Sequence, residues 1–189
     1  YLQKNINTVA IGGTCYIIDK KGKVIGRKKF PKSFEEIYEY IFKFIPVQQG
    51  TLMIARDRLP EDFVYYEDGM NTAEEVELFF KLFQYGKVEN MSDYLLKYRM
   101  HNKNTSLVNL RSTFFLTLIS RIKAVYRYGY TPNTSGILLT IAQALIVLTL
   151  PTRVTMALYT SIRWMKAYQL PKPSLSLGLS QKSIRPALS

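Results

Sequence analysis

Residues 72–106 read TAEEVELFFKLFQYGKVENMSDYLLKYRMHNKNTS, and this stretch, from Thr72 to Ser106, decides the fold. Val76, Phe79, Phe80 and Phe83 recur at i, i+3, i+4 and i+7, so the spacing predicts a helix with one buried face. Gly86 follows the last turn, where a left-handed cap suits glycine. Alternation from Leu95 to His101 then predicts a strand. Leu96, Tyr98 and Met100 share one of its faces, and Lys97, Arg99 and His101 the other. The helix start holds the acidic pair Glu74-Glu75, and the strand ends in the only histidine of the chain.

The acidic pair has a purely structural reading. Thr72-x-x-Glu75 has the form of a capping box, in which Glu75 would bond the Thr72 amide. Glu74 and Glu77 would form a solvated face that suits the positive helix N-terminus. A lone histidine at a strand end is likewise more often structural than a ligand.

Upstream, Thr8 to Asp19 is apolar around Gly12-Gly13 and reads as a buried strand. Asp19 to Lys23 reads as a turn and Val24 to Gly26 as a short return strand. Pro31 and Ser33 open a helix with a Ser33–Glu36 capping box and a core stripe of Phe34, Ile37, Ile41 and Phe44. Pro46 ends it, Val47 to Ile54 reads as a strand, and Arg56 to Met70 as a long loop of the functional kind.

Downstream, Ser106 would cap a helix reaching Tyr128. Leu107, Leu110, Phe114, Leu118, Ile122 and Val125 are expected on its packed side, with Arg111, Arg121, Lys123 and Arg127 decorating it. Ile137 to Leu150 is apolar nearly all round, spans only about 21 Å at ~1.5 Å per residue, and is stopped by Pro151. That is short of a hydrocarbon core of ~30 Å. Thr152 to Tyr168 turns amphipathic, which suits a helix lying in a bilayer interface; one tilted span running through Pro151 is an alternative, and a soluble buried hairpin is the rival. Leu170 to Ser189 has the composition of a disordered tail.

These motifs together resemble the second half of the family-two glycosyltransferases of the GT-A fold. That family carries A-E-D-x-x-L, then G-K, then L-L-x-Y-R-x-H and a small polar residue. Here the order is Ala73-Glu74-Glu75-Val76-Glu77-Leu78, Gly86-Lys87, Leu95-Leu96-Lys97-Tyr98-Arg99-Met100-His101 and Thr105-Ser106. Pro46 to Ile54 is similar to the family's strand before its acceptor-side loop, and Tyr65-Tyr66-Glu67 partly matches its Y-D-E segment. The likeness covers roughly the first hundred residues.

The resemblance implies an α/β fold, the C-terminal half of a GT-A, Rossmann-like domain, over 1–106; composition adds a helical membrane-associated extension over 107–169 and a tail over 170–189. It makes Glu75 the general base, with Glu74 orienting the acceptor and Gly50, Thr51 and Arg99 also against substrate. It gives His101 to a divalent metal, Mg or Mn, and the leaving diphosphate. The implied partners are a nucleotide-sugar donor, a glycan or lipid-linked acceptor and an anionic membrane surface. The setting is surface-polysaccharide or glycolipid assembly at the cytoplasmic face of the cell membrane.

Three departures matter. Glu75 stands where the family has Asp; Tyr66 stands where its Y-D-E segment has Asp; and no D-x-D motif for metal and diphosphate occurs. The chain therefore reads as the acceptor-side part of a transferase, inactive without its donor half. Glu67-Asp68 is a rival acid pair, ranked below Glu74-Glu75.

Charge supports a polyanionic partner. All 14 acidic residues lie at or before Asp93, whereas 13 of the 26 Lys and Arg lie after it. Anionic lipid and nucleic acid are the two candidates. The apolar run Ile137–Leu150 has no use to nucleic acid, so none is expected. A basic non-enzymatic module and a membrane scaffold with a decayed active site remain as alternatives. One cysteine, Cys15, allows no internal disulfide.

Overall fold

The computed structural model describes residues 1–67, 73–100, 110–151 and 154–155. These form a mixed α/β unit with a four-stranded sheet and four α-helices among the described residues. The strands are β1 (Thr8–Ile18), β2 (Val24–Lys28), β3 (Met53–Ile54) and β4 (Lys87–Arg99). The helices are α1 (Phe34–Ile41), α2 (Glu74–Leu82), α3 (Leu110–Tyr128) and α4 (Thr134–Thr149).

β1 is the centre of the sheet. β4 runs parallel to it from the Thr8–Lys87 pair to the Ile18–Arg99 pair. β4 thus occupies one whole edge, so β2 and β3 must share the other. Both are antiparallel to β1, β3 at Ala10–Ile11 and β2 at Cys15–Ile18. Paired on both edges, β1 is buried along its length except at Tyr16, which explains its unbroken apolar run. Side chains also crowd it: a Cβ on Gly12 would lie 2.5 Å from both Asn90 Oδ1 and Val47 Cγ1.

The α1 capping box is present as the sequence predicts. Ser33 Oγ accepts from the Glu36 amide, and the Glu36 carboxylate accepts from Ser33 N. Ile37 and Ile41 enter the core, which also takes Val9, Val88, Val76, Phe79, Phe80 and Leu82. Asn90 ties both ends of α1 to β4, donating through Nδ2 to Pro31 O at 2.7 Å and Pro46 O at 2.9 Å. Ala124 and Tyr130 belong to the same core although they lie beyond the boundary expected at residue 106.

Several expectations are corrected. Val47–Ile54 is not one strand. Gln49–Thr51 forms a 3-10 turn, and only Met53–Ile54 pairs. Thr51 is the cause: its Oγ1 donates to Gln48 O at 2.7 Å and accepts from Gly13 N at 2.9 Å, so side-chain bonds replace the ladder. Gly86 is required, but not as a helix cap. At φ +155° its missing Cβ leaves room for Asn7 O, which would lie 2.6 Å away.

α3 shows the largest difference. Its expected packed side included Ile122 and Val125, yet both are exposed, whereas Ser120, Arg121 and Ala124 are buried. Arg121 is no decoration. It donates to Lys43 O at 2.9 Å, Gln143 Oε1 at 3.0 Å and Thr140 Oγ1 at 3.2 Å, and these polar acceptors draw its face inward. α4 ends where Pro151 demands: Leu150 is already extended, at φ −93° and ψ 148°. Among the described residues, no helix is long and apolar enough to cross a membrane. The amphipathic segment expected over 152–168 and the tail over 170–189 fall almost wholly outside the described residues.

Candidate functional site

α2 positions the acidic pair. It starts from Ala73, which sits buried in the left-handed region at φ 61°, ψ 17°. A Cβ in that conformation costs roughly 1–2 kcal/mol. Such strain persists only where surrounding packing holds it, and it clusters at working sites. The first turn carries Glu74, Glu75 and Glu77, where the positive helix end favours negative side chains. Glu74 and Glu75 are half-buried. The N-cap residue is Ala73, which makes no side-chain cap bond. Thr72 itself lies outside the described residues.

Glu77 overturns the solvated-face reading. It is 3% exposed and lies between α2 and α3. Its Oε1 accepts from Tyr128 Oη at 2.7 Å, and its Oε2 pairs with Lys123 Nζ at 3.0 Å. Lys123 Nζ also reaches Glu67 Oε2 at 2.8 Å. Lys81 adds a contact to Glu67 at 3.6 Å and Arg127 one at 3.9 Å. Glu67, from the rival acid pair, is therefore held by three cations.

The electrostatics follow from this geometry. The hydrogen bond from Lys123 holds the Glu67 carboxyl below its usual range. The same bond to Glu67, with further help from Glu77, raises Lys123 despite its partial desolvation. Burial, then the Glu77 hydrogen bond, pushes the Tyr128 phenol well above its usual value. Sequence reasoning missed this cluster. The signal was there in part: Glu77 lies three residues before Phe80 and one after Val76, within the face that α2 buries.

Of the other expected residues, Gly50 and Thr51 lie apart from Arg99. Thr51 is fastened to Gly13 in the middle of β1, with Gly50 exposed beside Leu96. Arg99 pairs with Ile18 at the far end of β1, five residues on, or about 17 Å along a strand. Its Nη1 donates to Asp19 O at 3.0 Å and Lys20 O at 2.9 Å, so it clasps the β1–β2 turn. The exposed-face alternation read for β4 is present: Lys97 and Arg99 are exposed, and Leu96, Tyr98 and Met100 are half-buried. His101 lies outside the described residues. A cleft of about 520 Å³ is lined by Lys29, Lys32, Glu36, Glu39 and Lys43 among others, and by none of the expected site residues.

Among the described residues no group of three His, Cys, Asp or Glu could hold a metal ion, and His101 lies outside them. The basic surplus is also partly consumed inside the molecule. Arg121 is 3% exposed and Lys123 is paired twice, so neither is presented to a polyanion. No family model matches the chain, and no curated protein matches it.

Proposed function

We propose that this chain is the acceptor-side part of an inverting glycosyltransferase that uses a nucleotide-sugar donor and a glycan or lipid-linked acceptor at the cytoplasmic face of the cell membrane. The observation that supports it most is the helix–glycine–strand order of α2, Gly86 and β4, with two carboxylates side by side at the first turn of α2. Glu75 takes the proton of the acceptor hydroxyl as its oxygen attacks the anomeric carbon. The bond from that carbon to the nucleoside diphosphate breaks, and the diphosphate leaves with the electron pair. Glu74 orients the acceptor. Ala73 and the buried Glu77 fix the angle at which the pair is presented.

The reading carries a divalent metal, Mg or Mn, to which His101 is assigned. His101 lies outside the described residues. The test is sugar transfer by the full-length enzyme carrying Glu75→Gln. Loss of a general base lowers turnover by about 10²–10⁴-fold. Near-normal turnover removes the assignment. A basic, non-enzymatic module is the second reading. The outward apolar faces of α3 and α4 favour it, because they need a binding surface whether or not Glu75 is a base.

A further inference from the structure

α3 and α4 are put together with their polar side inward. Between them lie Arg121, Thr140 and Gln143, with Arg121 donating to both of the others. Thr140 Oγ1 donates to Phe42 O at 3.2 Å, and Gln143 Nε2 to Lys43 O at 3.2 Å. Every one of these bonds satisfies a group that water would otherwise serve.

The apolar side faces outward. On α4, Leu138, Ile141, Leu145 and Leu148 are all more than half exposed, at 62%, 53%, 59% and 60%. Their spacing places them on one face, opposite Gly136, Thr140 and Val147, which are buried. On α3, Phe115, Ile119, Ile122 and Tyr126 recur at i, i+4, i+7 and i+11 and are likewise exposed. Two separate helices therefore show the same inversion. Contiguous exposed apolar surface of this kind marks an interaction site.

We infer that the outward faces of α3 and α4 dock on an anionic bilayer, lying in its interface without crossing it. Three observations select this occupant. α4 contains no charged residue, so nothing on it opposes entry into the acyl boundary. No acidic residue occurs after Asp93, while 13 Lys and Arg do; even with Arg121 and Lys123 held inside, that surplus complements anionic headgroups. At 16 residues α4 is about 24 Å long, too short for a hydrocarbon core of ~30 Å. An interfacial helix needs only to bury one side. The inference rests on the proposed membrane setting but not on the chemistry assigned to Glu75.

The test is flotation of the whole chain with vesicles of equimolar phosphatidylcholine and phosphatidylglycerol, alongside vesicles of phosphatidylcholine alone. The wild type floats with the anionic vesicles and less with the neutral ones. Leu138→Gln with Leu145→Gln weakens partitioning by about 10- to 100-fold, as expected when two half-exposed leucines lose their apolar contact. Both positions face outward, so far-UV circular dichroism stays unchanged; if the double variant loses helix, Leu138→Gln alone decides. Glu75→Gln floats like the wild type, which separates failure of the docking face from failure of the catalytic assignment. Absence of flotation, or flotation of the leucine variants equal to wild type, overturns the inference. So does a lipid-free dimer in sedimentation that the leucine variants abolish, since a second copy would then cover the face.

Discussion

α2 and the α3–α4 hairpin are helical regions of similar apolar content with opposite orientations. In α2 the apolar residues face the sheet, and one charged side chain, Glu77, goes in with them. In α3 and α4 the polar residues close the interface, and the large apolar ones look out. Periodicity tells which residues share a face. It does not tell which face points inward. That is decided by partners: Glu77 has Lys123 and Tyr128 waiting on α3, and Arg121 has the carbonyl of Lys43 and two polar side chains on α4.

The contrast is broken most directly by the same kind of truncation in both regions. Phe79→Ala in α2 removes a fully buried ring and costs about 4 kcal/mol. Leu145→Ala on the outer face of α4 changes stability by no more than about 0.5 kcal/mol. Urea unfolding in the absence of lipid measures both. Comparable losses would mean that α4 has an apolar partner within the chain and that its outward face is not free for a bilayer.

Next in size is the polar tie between the two regions. Glu77→Ala leaves Lys123 and Tyr128 without the acceptor they share and costs about 3 kcal/mol, at the lower end for a broken buried pair because Lys123 keeps Glu67. A cost near zero in the same unfolding assay would show that α3 is held to α2 by apolar contact alone.

The smallest effect sharpens the account of the cluster by its pH dependence. Glu67 has a lowered folded pKa, so its contribution is present above the unfolded carboxylate value of 4.5 and is lost as pH falls below it. Lys123 and Tyr128 have raised folded values. Their contributions are present below 10.5 and 10.0, respectively, and are lost as pH rises beyond. Thermal unfolding midpoints should therefore fall on both sides of a neutral plateau. With Glu77→Ala the alkaline fall becomes shallower, because Tyr128 no longer has that acceptor.

Much of the first hundred residues was legible in the sequence. β1 announces itself by an apolar run that only a doubly paired strand needs. The α1 capping box appears as written, and β4 alternates as its residues do, though the strand begins at Lys87, well before the alternation becomes clear. What was hidden had non-local causes. The Val47–Ile54 segment looks like a strand until Thr51 finds Gly13, 38 residues away. Glu77 looks solvated until α3 supplies a lysine 46 residues on. Ile122 and Val125 look like core until Arg121 is seen to occupy the interior. The acidic pair and its place at a helix start were legible; the left-handed alanine behind it was not.

The proposed role of Glu75 as a base is tested most directly by comparing two replacements in the full-length protein. Glu75→Asp keeps a carboxylate of the length the resembling family uses, and Glu75→Gln keeps the shape without the base. Turnover is expected to stay within about tenfold of wild type for Asp and to fall by about 100-fold or more for Gln. Equal turnover of the two variants, whether both active or both dead, would contradict the account.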